Sequence, residues 1–435
     1  MEIYMETANR SISLRLFADS SLIPLVQGAI EQAASVFGMS HQRVLKLVMA
    51  GEEIISYLAQ TAHGGEVQIT ITHGGWCVIV DFSFEAAPSD LWIINLAAQK
   101  KANSGQEVEH LGLLLASRMM DRFTVRLKGR KVHLELRLDY EYLVLQPKLV
   151  RPKMLRGPLT IVDNPEPALI KEACAAVVNQ YPPYLVHTAF FTPGKTVDMV
   201  AGGYLDMIVA VDEQGQLAGM LSWRAPSQNS ISFSGPYIFA EGDDVARKLE
   251  MHLLKRVGRG NAESLFSDLA TAQLVSENFE SLGQIEFLQE DEQSIQMAVW
   301  FRLLRDDAGG AVWAHHDIVE FLEKKYSDLC LMRTIRQVDA AGEALPERSV
   351  FSTRLRPELK EATFVPMVVG VDVSESIARQ VAALREDDYR NIFFHIDLAS
   401  GWQAAMGGAL LENGFVPRIL LPKGGKSDVV VFQYA

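Results

Sequence analysis

Apolar residues change their spacing several times along this chain, and each change marks an element. Between residues 21 and 37, Leu25 is followed by Ile30, Ala34 and Phe37, the last three at four- and three-residue intervals, which predicts a helix. A second helix follows Ser40, a suitable N-cap, with Val44, Leu45, Leu47, Val48, Ile54, Ile55 and Leu58 forming a broad stripe. The period then falls to two. Val67, Ile69 and Ile71 alternate with polar residues, His73-Gly74-Gly75 turns the chain, and 76–84 returns, which predicts a hairpin. After an irregular stretch at 85–109, residues 111–120 read as a buried helix. Residues 123–138 read as a second hairpin around Lys128-Gly129-Arg130. With a short strand at 14–16, the order is strand, two helices, hairpin, loop, helix, hairpin.

Pro147, Pro152 and Gly157, set among Lys148, Arg151, Lys153 and Arg156, interrupt the periodicity, so residues 146–157 read as a linker. Beyond it helices and strands alternate as in a mixed α/β layer. Helices are expected at 167–180, 243–257, 272–282, 317–325, 374–385 and 402–413. Strands are expected at 207–211, 217–223, 230–239, 265–269, 297–304, 348–355, 361–369, 391–397 and 428–434. Residues 278–287 and 410–416 each pass from a Leu to a Gly and into an aromatic strand, a pattern that suggests an internal duplication. The expected domains are 1–145, 158–305 and 306–435, in an α+β multidomain fold.

Composition narrows the possibilities. The 435 residues are 48% apolar and 22% charged, ordinary for a folded protein of several cores. The net charge of −13 argues against a surface used as a whole for nucleic acid or anionic lipid, so neither a direct nucleic-acid partner nor a membrane is expected. One basic cluster stands out (Arg118, Arg122, Arg126, Lys128, Arg130 and Lys131), either a docking patch or a solvated face. Three widely spaced cysteines, Cys77, Cys174 and Cys330, fit neither a disulfide framework nor a zinc module and point to a reducing, cytoplasmic setting. No run is long enough to span a membrane, and residues 1–19 lack the features of a signal peptide.

Ala50-Gly51-Glu52-Glu53-Ile54-Ile55-Ser56-Tyr57, the stretch 78–81, His110-Leu111-Gly112-Leu113-Leu114-Leu115 and Met119-Met120-Asp121 make the first 140 residues resemble anti-sigma-factor serine kinases. These belong to the histidine-kinase-like, Bergerat-type ATPases, and the resemblance implies an α/β sandwich that binds ATP. By that resemblance Glu53 matches the catalytic carboxylate and Asp81 the adenine-reading acid. Tyr57 stands where the family has its magnesium-binding Asn, and His110 replaces a glycine ahead of Gly112 at the phosphate-receiving helix start. A phenol is a poor ligand for a hard cation. Glu53 and Asp81 also read as a helix-surface carboxylate and a strand-end residue.

From residue 158 onward the chain resembles the GNAT acyltransferase superfamily, in two copies. The first copy is carried by Gly235-Pro236-Tyr237-Ile238-Phe239, 265–269 and Phe279-Glu280-Ser281-Leu282-Gly283. The second is carried by 393–398, Leu410-Leu411-Glu412-Asn413-Gly414-Phe415 and 428–434. The resemblance implies acetyl-CoA as cofactor, its pyrophosphate held on a glycine-rich turn at a helix start. Here that turn reads Glu241-Gly242-Asp243-Asp244-Val245-Ala246, with one glycine and three acids that repel a pyrophosphate and cap the helix themselves. Tyr237 and Asn278 are candidate hydrogen-bond donors for acyl transfer. The whole resembles bacterial ATP-binding, acetyltransferase-like proteins.

His315-His316-Asp317 reads as solvated capping residues rather than a metal site, since no further ligand lies at chelating spacing. Gly424-Gly425-Lys426-Ser427 echoes the end of a Walker loop without its upstream glycine and reads as a β-turn. The reading these residues favour is a bacterial regulatory protein. Its first domain binds a protein partner, a sigma-factor or anti-anti-sigma-like protein, and its GNAT-like half recognises a ligand without catalysis. The alternatives are an acetyl-CoA-dependent N-acetyltransferase regulated by an ATP-binding domain, or a serine kinase acting through Glu53. No cofactor is fixed by sequence, ATP and acetyl-CoA both remain open, and a homodimer is compatible.

Overall fold

The computed structural model describes residues 10–61, 65–85, 95, 111–128, 131–148, 157–240, 244–289, 293–339 and 344–435. They form a mixed α/β protein with four sheets. In the first sheet, β1 (Ser11–Phe17), β2 (Glu66–His73), β3 (Cys77–Glu85), β4 (Arg122–Lys128) and β5 (Lys131–Asp139) lie in the order β1-β2-β3-β5-β4, every neighbour antiparallel. Helices α1 (Ile23–Val36), α2 (His41–Thr61) and α3 (Leu111–Met119) belong to the same unit. Alternation along β3 sends Val78, Val80, Phe82 and Phe84 into the core shared with Leu47, Ile54 and Leu58 of α2. A side chain at Gly51 would meet Ile30 at 2.4 Å, so glycine there lets α1 and α2 approach.

The same alternation turns Cys77, Ile79, Asp81 and Ser83 to the opposite face. There Trp76, Cys77 and Ile79 pack with Tyr142, Met199 and Tyr204, and Trp76 meets Tyr204 edge to face at 4.0 Å. The first unit thereby docks on the second, helped by the Tyr142 hydroxyl donating to Asp198 (2.6 Å) and by an ion pair between Lys195 and Asp139.

The second unit contains β6 (Thr160–Asp163), α4 (Pro167–Gln180), α5 (Pro193–Ala201), β7 (Asp206–Val211), β8 (Leu217–Arg224), β9 (Ser230–Ile238), α6 (Val245–Val257), β10 (Ser264–Ala270), β11 (Glu280–Leu288) and β12 (Ser294–Leu303). Its seven strands run β11-β12-β10-β9-β8-β7-β6, antiparallel throughout except for the parallel pair β9/β10, whose crossover is α6. One face of the sheet packs on α4 and Phe190, the other on Leu249 and Leu253 of α6.

The third unit opens with a small parallel pair, β13 (Gly310–Ala314) and β14 (Arg333–Gln337), joined through α7 (Val319–Asp328). It continues with β15 (Val350–Arg356), β16 (Glu361–Val368), α8 (Val373–Glu386), β17 (Asn391–Asp397), α9 (Gly401–Ala404), α10 (Gly407–Glu412), β18 (Phe415–Leu421) and β19 (Val429–Tyr434). The strand order β15-β16-β17-β19-β18 runs antiparallel, parallel, antiparallel, antiparallel. The run β8-β9-β10-β12-β11 has the same order and the same senses. The duplication suggested by the sequence is therefore present in the topology, with α6 and α8 as equivalent crossovers.

The two copies meet at their edges. The backbone of Glu286 and Leu288 on β11 bonds the side-chain amides of Gln433 and Asn391: Glu286 N–H donates to Gln433 Oε1 (3.2 Å), Leu288 N–H donates to Asn391 Oδ1 (2.8 Å), and both amide NH2 groups return bonds to the same two carbonyls. These amides take the place of a neighbouring strand along the edge. The first unit reaches the third as well. Val350 joins the core of α1 and α2, and buried Asn95 donates to Ser349 C=O (2.7 Å) and accepts from Phe351 N–H (2.9 Å).

Two expected helices are corrected. Residues 272–282 form only a short 3-10 turn, Ser276–Asn278, before β11 begins. The cause is Glu250 of α6, which accepts from Val275 N–H (2.7 Å) and draws the segment flat against that helix, while Phe279 stacks on Phe233 at 5.3 Å. Residues 402–413 break into α9 and α10, where Gly407 and Gly408 lie against the His315 ring. The helix Pro193–Ala201 and the pair β13/β14 were not anticipated.

Candidate functional site

The nucleotide-site residues expected in the first unit are not gathered into one pocket. Glu53 and Tyr57 lie on α2, with Tyr57 buried. Asp81 lies mid-strand on β3, opposite Glu135 and Thr70, on the sheet face that turns away from the helices. Its Oδ2 bonds His133 Nδ1 at 3.0 Å. The sheet therefore stands between Glu53 and Asp81. Gly112 is in the first turn of α3, and His110 lies outside the described residues. In the basic cluster Arg126 pairs with Glu135 at 2.5 Å, and Arg130 is outside the described residues.

At the start of α6, Glu241, Gly242 and Asp243 are outside the described residues. Asp244 holds the N-cap position, yet its carboxylate makes no capping bond and turns to Lys248 at 3.1 Å, which corrects the expected side-chain cap. Val245 is fully buried over Gly219, so it belongs to the core, and Ala246 follows it in the first turn. Tyr237, also buried, donates to Leu185 C=O at 2.6 Å. The Asn278 side-chain amide donates to Glu250 at 3.5 Å, and its backbone carbonyl accepts from Arg302 at 2.6 Å. Both side chains are engaged in holding the fold.

The end of β9 is more informative. Its register with β10 runs to Gly235↔Ala270, and Thr271 then bonds Pro236 C=O at 2.5 Å before the chain turns away. Past that point Ile238 has no strand on its β10 side. Its N–H donates to the Tyr181 hydroxyl at 2.7 Å, and the hydroxyl donates back to Ile238 C=O at 3.2 Å. The Tyr181 ring stands edge to face on Tyr237 at 4.9 Å, and burial raises its phenol pKa. An extended ligand entering between the parted strands needs those same backbone groups. Tyr181 occupies them.

From this strand end the chain continues to His187, whose ring feels Arg224, Asp268 and Arg356, so polar groups of both copies lie near one another there. Asp268 of β10 pairs with Arg224 at the end of β8 (3.3 Å). Opposite stand residues from the face of the C-terminal sheet that carries no helix. Ala362 and Phe364 of β16, with Ile392, Phe394 and Ile396 of β17, point into the α8 core, so alternation brings Glu361, Thr363 and His395 out on the other side. Register places Arg354 opposite Thr363 and Arg356 opposite Glu361, on that same face, and Arg356 pairs with Glu361 at 3.2 Å.

Asp268 keeps 38% of its side-chain surface exposed, yet burial is the strongest influence on its carboxyl. Burial raises the Asp268 pKa, and Arg224, then Arg356, reverse that and leave it below the usual carboxylate range. Burial, despite Arg356 and Arg354, leaves Glu361 above that range. Burial also lowers both histidines to about 4, with Arg224 adding to the effect at His187 and Arg354 at His395. Both imidazoles are therefore neutral near pH 7. Asp268 and His395 occupy the fifth position of equivalent strands, β10 and β17.

None of these residues, nor Tyr181, was singled out from the sequence. The available signal was a charged or titratable residue at an alternate position of an otherwise apolar strand, as in Ile392-Phe393-Phe394-His395-Ile396. Two other motifs resolve into internal contacts. His315 accepts from Asp317 N–H at 3.4 Å as an N-cap, and Asp317 also pairs with His316 at 3.0 Å. The backbone N–H groups of Lys426 and Ser427 donate to the Asp397 carboxylate (2.8 and 3.2 Å), so this loop cradles an anion supplied by the chain.

No family model and no curated protein sequence matches the chain. Solved structures similar to about a third of it are GNAT-type acetyltransferases. A GNAT superfamily phosphinothricin acetyltransferase from Sinorhizobium meliloti, in complex with acetyl-CoA, is 17% identical and covers 33% of this chain and 88% of its own, with a TM-score of 0.28. An N-acetyltransferase from Staphylococcus aureus Mu50 is 11% identical over 34% of this chain and 99% of its own, also at 0.28. Mutant forms of a spermidine/spermine N-acetyltransferase from Vibrio cholerae are 16% identical, over 34% and 95%, again at 0.28. Among the described residues no helix is long and apolar enough to cross a membrane.

Proposed function

We propose that residues 158–435 are an acyltransferase-like module of two copies, the second truncated, that binds a small ligand between them without passing an acyl group. In this reading the first 145 residues are an anti-sigma-like, Bergerat-type unit that docks a protein partner. The separation of Glu53 from Asp81 by the sheet supports docking over kinase chemistry there. One observation carries the main reading. The Tyr181 hydroxyl saturates both backbone groups of Ile238 at the parted end of β9, so an extended ligand arm laid beside that strand end finds no free backbone group there.

A second reading is an N-acetyltransferase using acetyl-CoA, the ligand present in one of the similar structures. It is favoured by the segment from Tyr181 to His187, which runs from that strand end to the polar groups around Arg224 and Asp268. Isothermal titration with acetyl-CoA and with CoA separates the two. The wild-type chain should show no binding at roughly micromolar concentrations, and Tyr181→Phe, which frees Ile238 while keeping the ring packing, should bind more tightly than wild type. Micromolar binding by the wild type, with acetyl transfer to an amine, would establish the second reading.

A further inference from the structure

The turn that leads into α7 gathers three metal-ligating side chains. His315 Nδ1 lies 3.3 Å from Asp317 Oδ2, and His316 Nε2 lies 3.0 Å from Asp317 Oδ1, so two imidazoles bracket one carboxylate. One donor atom from each residue falls within 4.8 Å of the others. Neighbouring residues of a helix point apart, and spacing alone predicts no such convergence. The backbone supplies it. His315 is extended (φ −68°, ψ 145°) ahead of the 3-10 turn His316–Ile318, and the two rings come to 4.2 Å, inclined by 36°. The His315 ring is also wedged against α10, where a side chain at Gly408 would meet its Cε1 at 2.8 Å and its Nε2 at 2.9 Å. Packing thus holds that ring with Nδ1 toward Asp317. Nδ1 accepts from Asp317 N–H at 3.4 Å, a long and weak bond that a metal would replace.

We infer that His315, His316 and Asp317 form a binding site for a divalent transition metal of the zinc class. Two imidazoles and a carboxylate suit zinc, nickel or copper, whereas magnesium and calcium take oxygen ligands. With ligand bonds of about 2.0–2.2 Å, two donors on one tetrahedral ion stand roughly 3.3–3.5 Å apart. The separations of 3.3 and 3.0 Å are close to that. Charge also favours a cation. The groups that act on His315 are His316, Asp317 and Glu412, two acids and an imidazole with no lysine or arginine among them. Burial, then His316, lowers the His315 pKa, so its ring is neutral near pH 7, as a ligand must be. Three protein ligands leave the ion a further position. His316 keeps 70% of its side-chain surface exposed, so that position opens to solvent, where water or a donor on another molecule can complete the shell.

The test is isothermal titration of the full chain, free of any affinity tag and stripped of metal with a chelator, with Zn2+ and with Mg2+ at pH 7.5. The wild type is expected to bind one zinc at roughly micromolar concentrations and no magnesium. His316→Gln removes an exposed ligand, and it should weaken zinc binding at least tenfold while leaving the melting midpoint of the metal-free chain unchanged. Asp317→Asn should weaken binding to a similar degree. The control His41→Gln, at an exposed histidine that opens α2, should bind as the wild type does. Co2+ bound in place of zinc should give the visible absorption of nitrogen and oxygen ligation without the near-ultraviolet band of a cobalt–thiolate bond, which separates this site from the exposed Cys330. No zinc binding by the wild type, binding undiminished in His316→Gln or in Asp317→Asn, or a thiolate band with cobalt would each overturn the inference.

Discussion

Glu250 has no exposed surface, and its carboxylate is the clamp that shapes the segment after β10. Burial raises its pKa to about 7, against hydrogen bonds from Val275 and Asn278 that act to lower it. Between the ordinary carboxyl value and 7 the native state therefore holds more protons than the unfolded chain. The stability this contributes is present at low pH and is lost as pH rises through 7. Glu250→Gln keeps an acceptor for Val275 N–H and removes the buried charge. It should raise stability by roughly 1–3 kcal/mol at pH 8 and change it little at pH 4.5, which denaturation midpoints at the two pH values will measure.

At the scale of elements, the close packing of β11 on β18 depends on Gly283. Its φ of +118° lies in the region that favours glycine, and a side chain there would reach Ile419 at 3.4 Å and Lys325 Nζ at 3.1 Å. Gly283→Ala should destabilise the chain by about 1–2 kcal/mol, read as a lowered urea midpoint.

Which elements could be read from the sequence follows from what holds each one. The α2 stripe and the period-two hairpins are set by local alternation against a single core, and they stand where the pattern puts them. The segment 272–282 carries helix-like spacing, but its conformation is decided by a carboxylate more than twenty residues earlier. Tyr181 and Ile238 are 57 residues apart, and Asp268 and Arg354 sit on different sheets, so no local window contains the slot or that group of polar residues. The acidic character of the turn at 241–244 was legible in the sequence. Where Asp244 spends its charge, on Lys248, was not.

Across the whole molecule, one side chain couples the first unit to the last. Asn95 is buried and satisfies Ser349 C=O and Phe351 N–H, 254 and 256 residues away. Asn95→Ala leaves those two backbone groups without their partner in a protein interior. The expected cost is about 2–3 kcal/mol. Calorimetry should show it as a lower midpoint with earlier melting of the first unit, whereas an unchanged thermogram would mean that the contact contributes nothing to the coupling.

The pairing of repeated halves within a single polypeptide has a consequence for Asp268 and His395. In an assembly of identical subunits related by a two-fold axis, a substitution on one side appears on the other at once, so matched sites always carry the same chemical group. Covalent duplication removes that constraint. Each half drifts alone, and the fifth residue of β10 is an acid where the fifth residue of β17 is an imidazole. Two halves that differ in this way can take on different chemistry, a freedom closed to any symmetric pair.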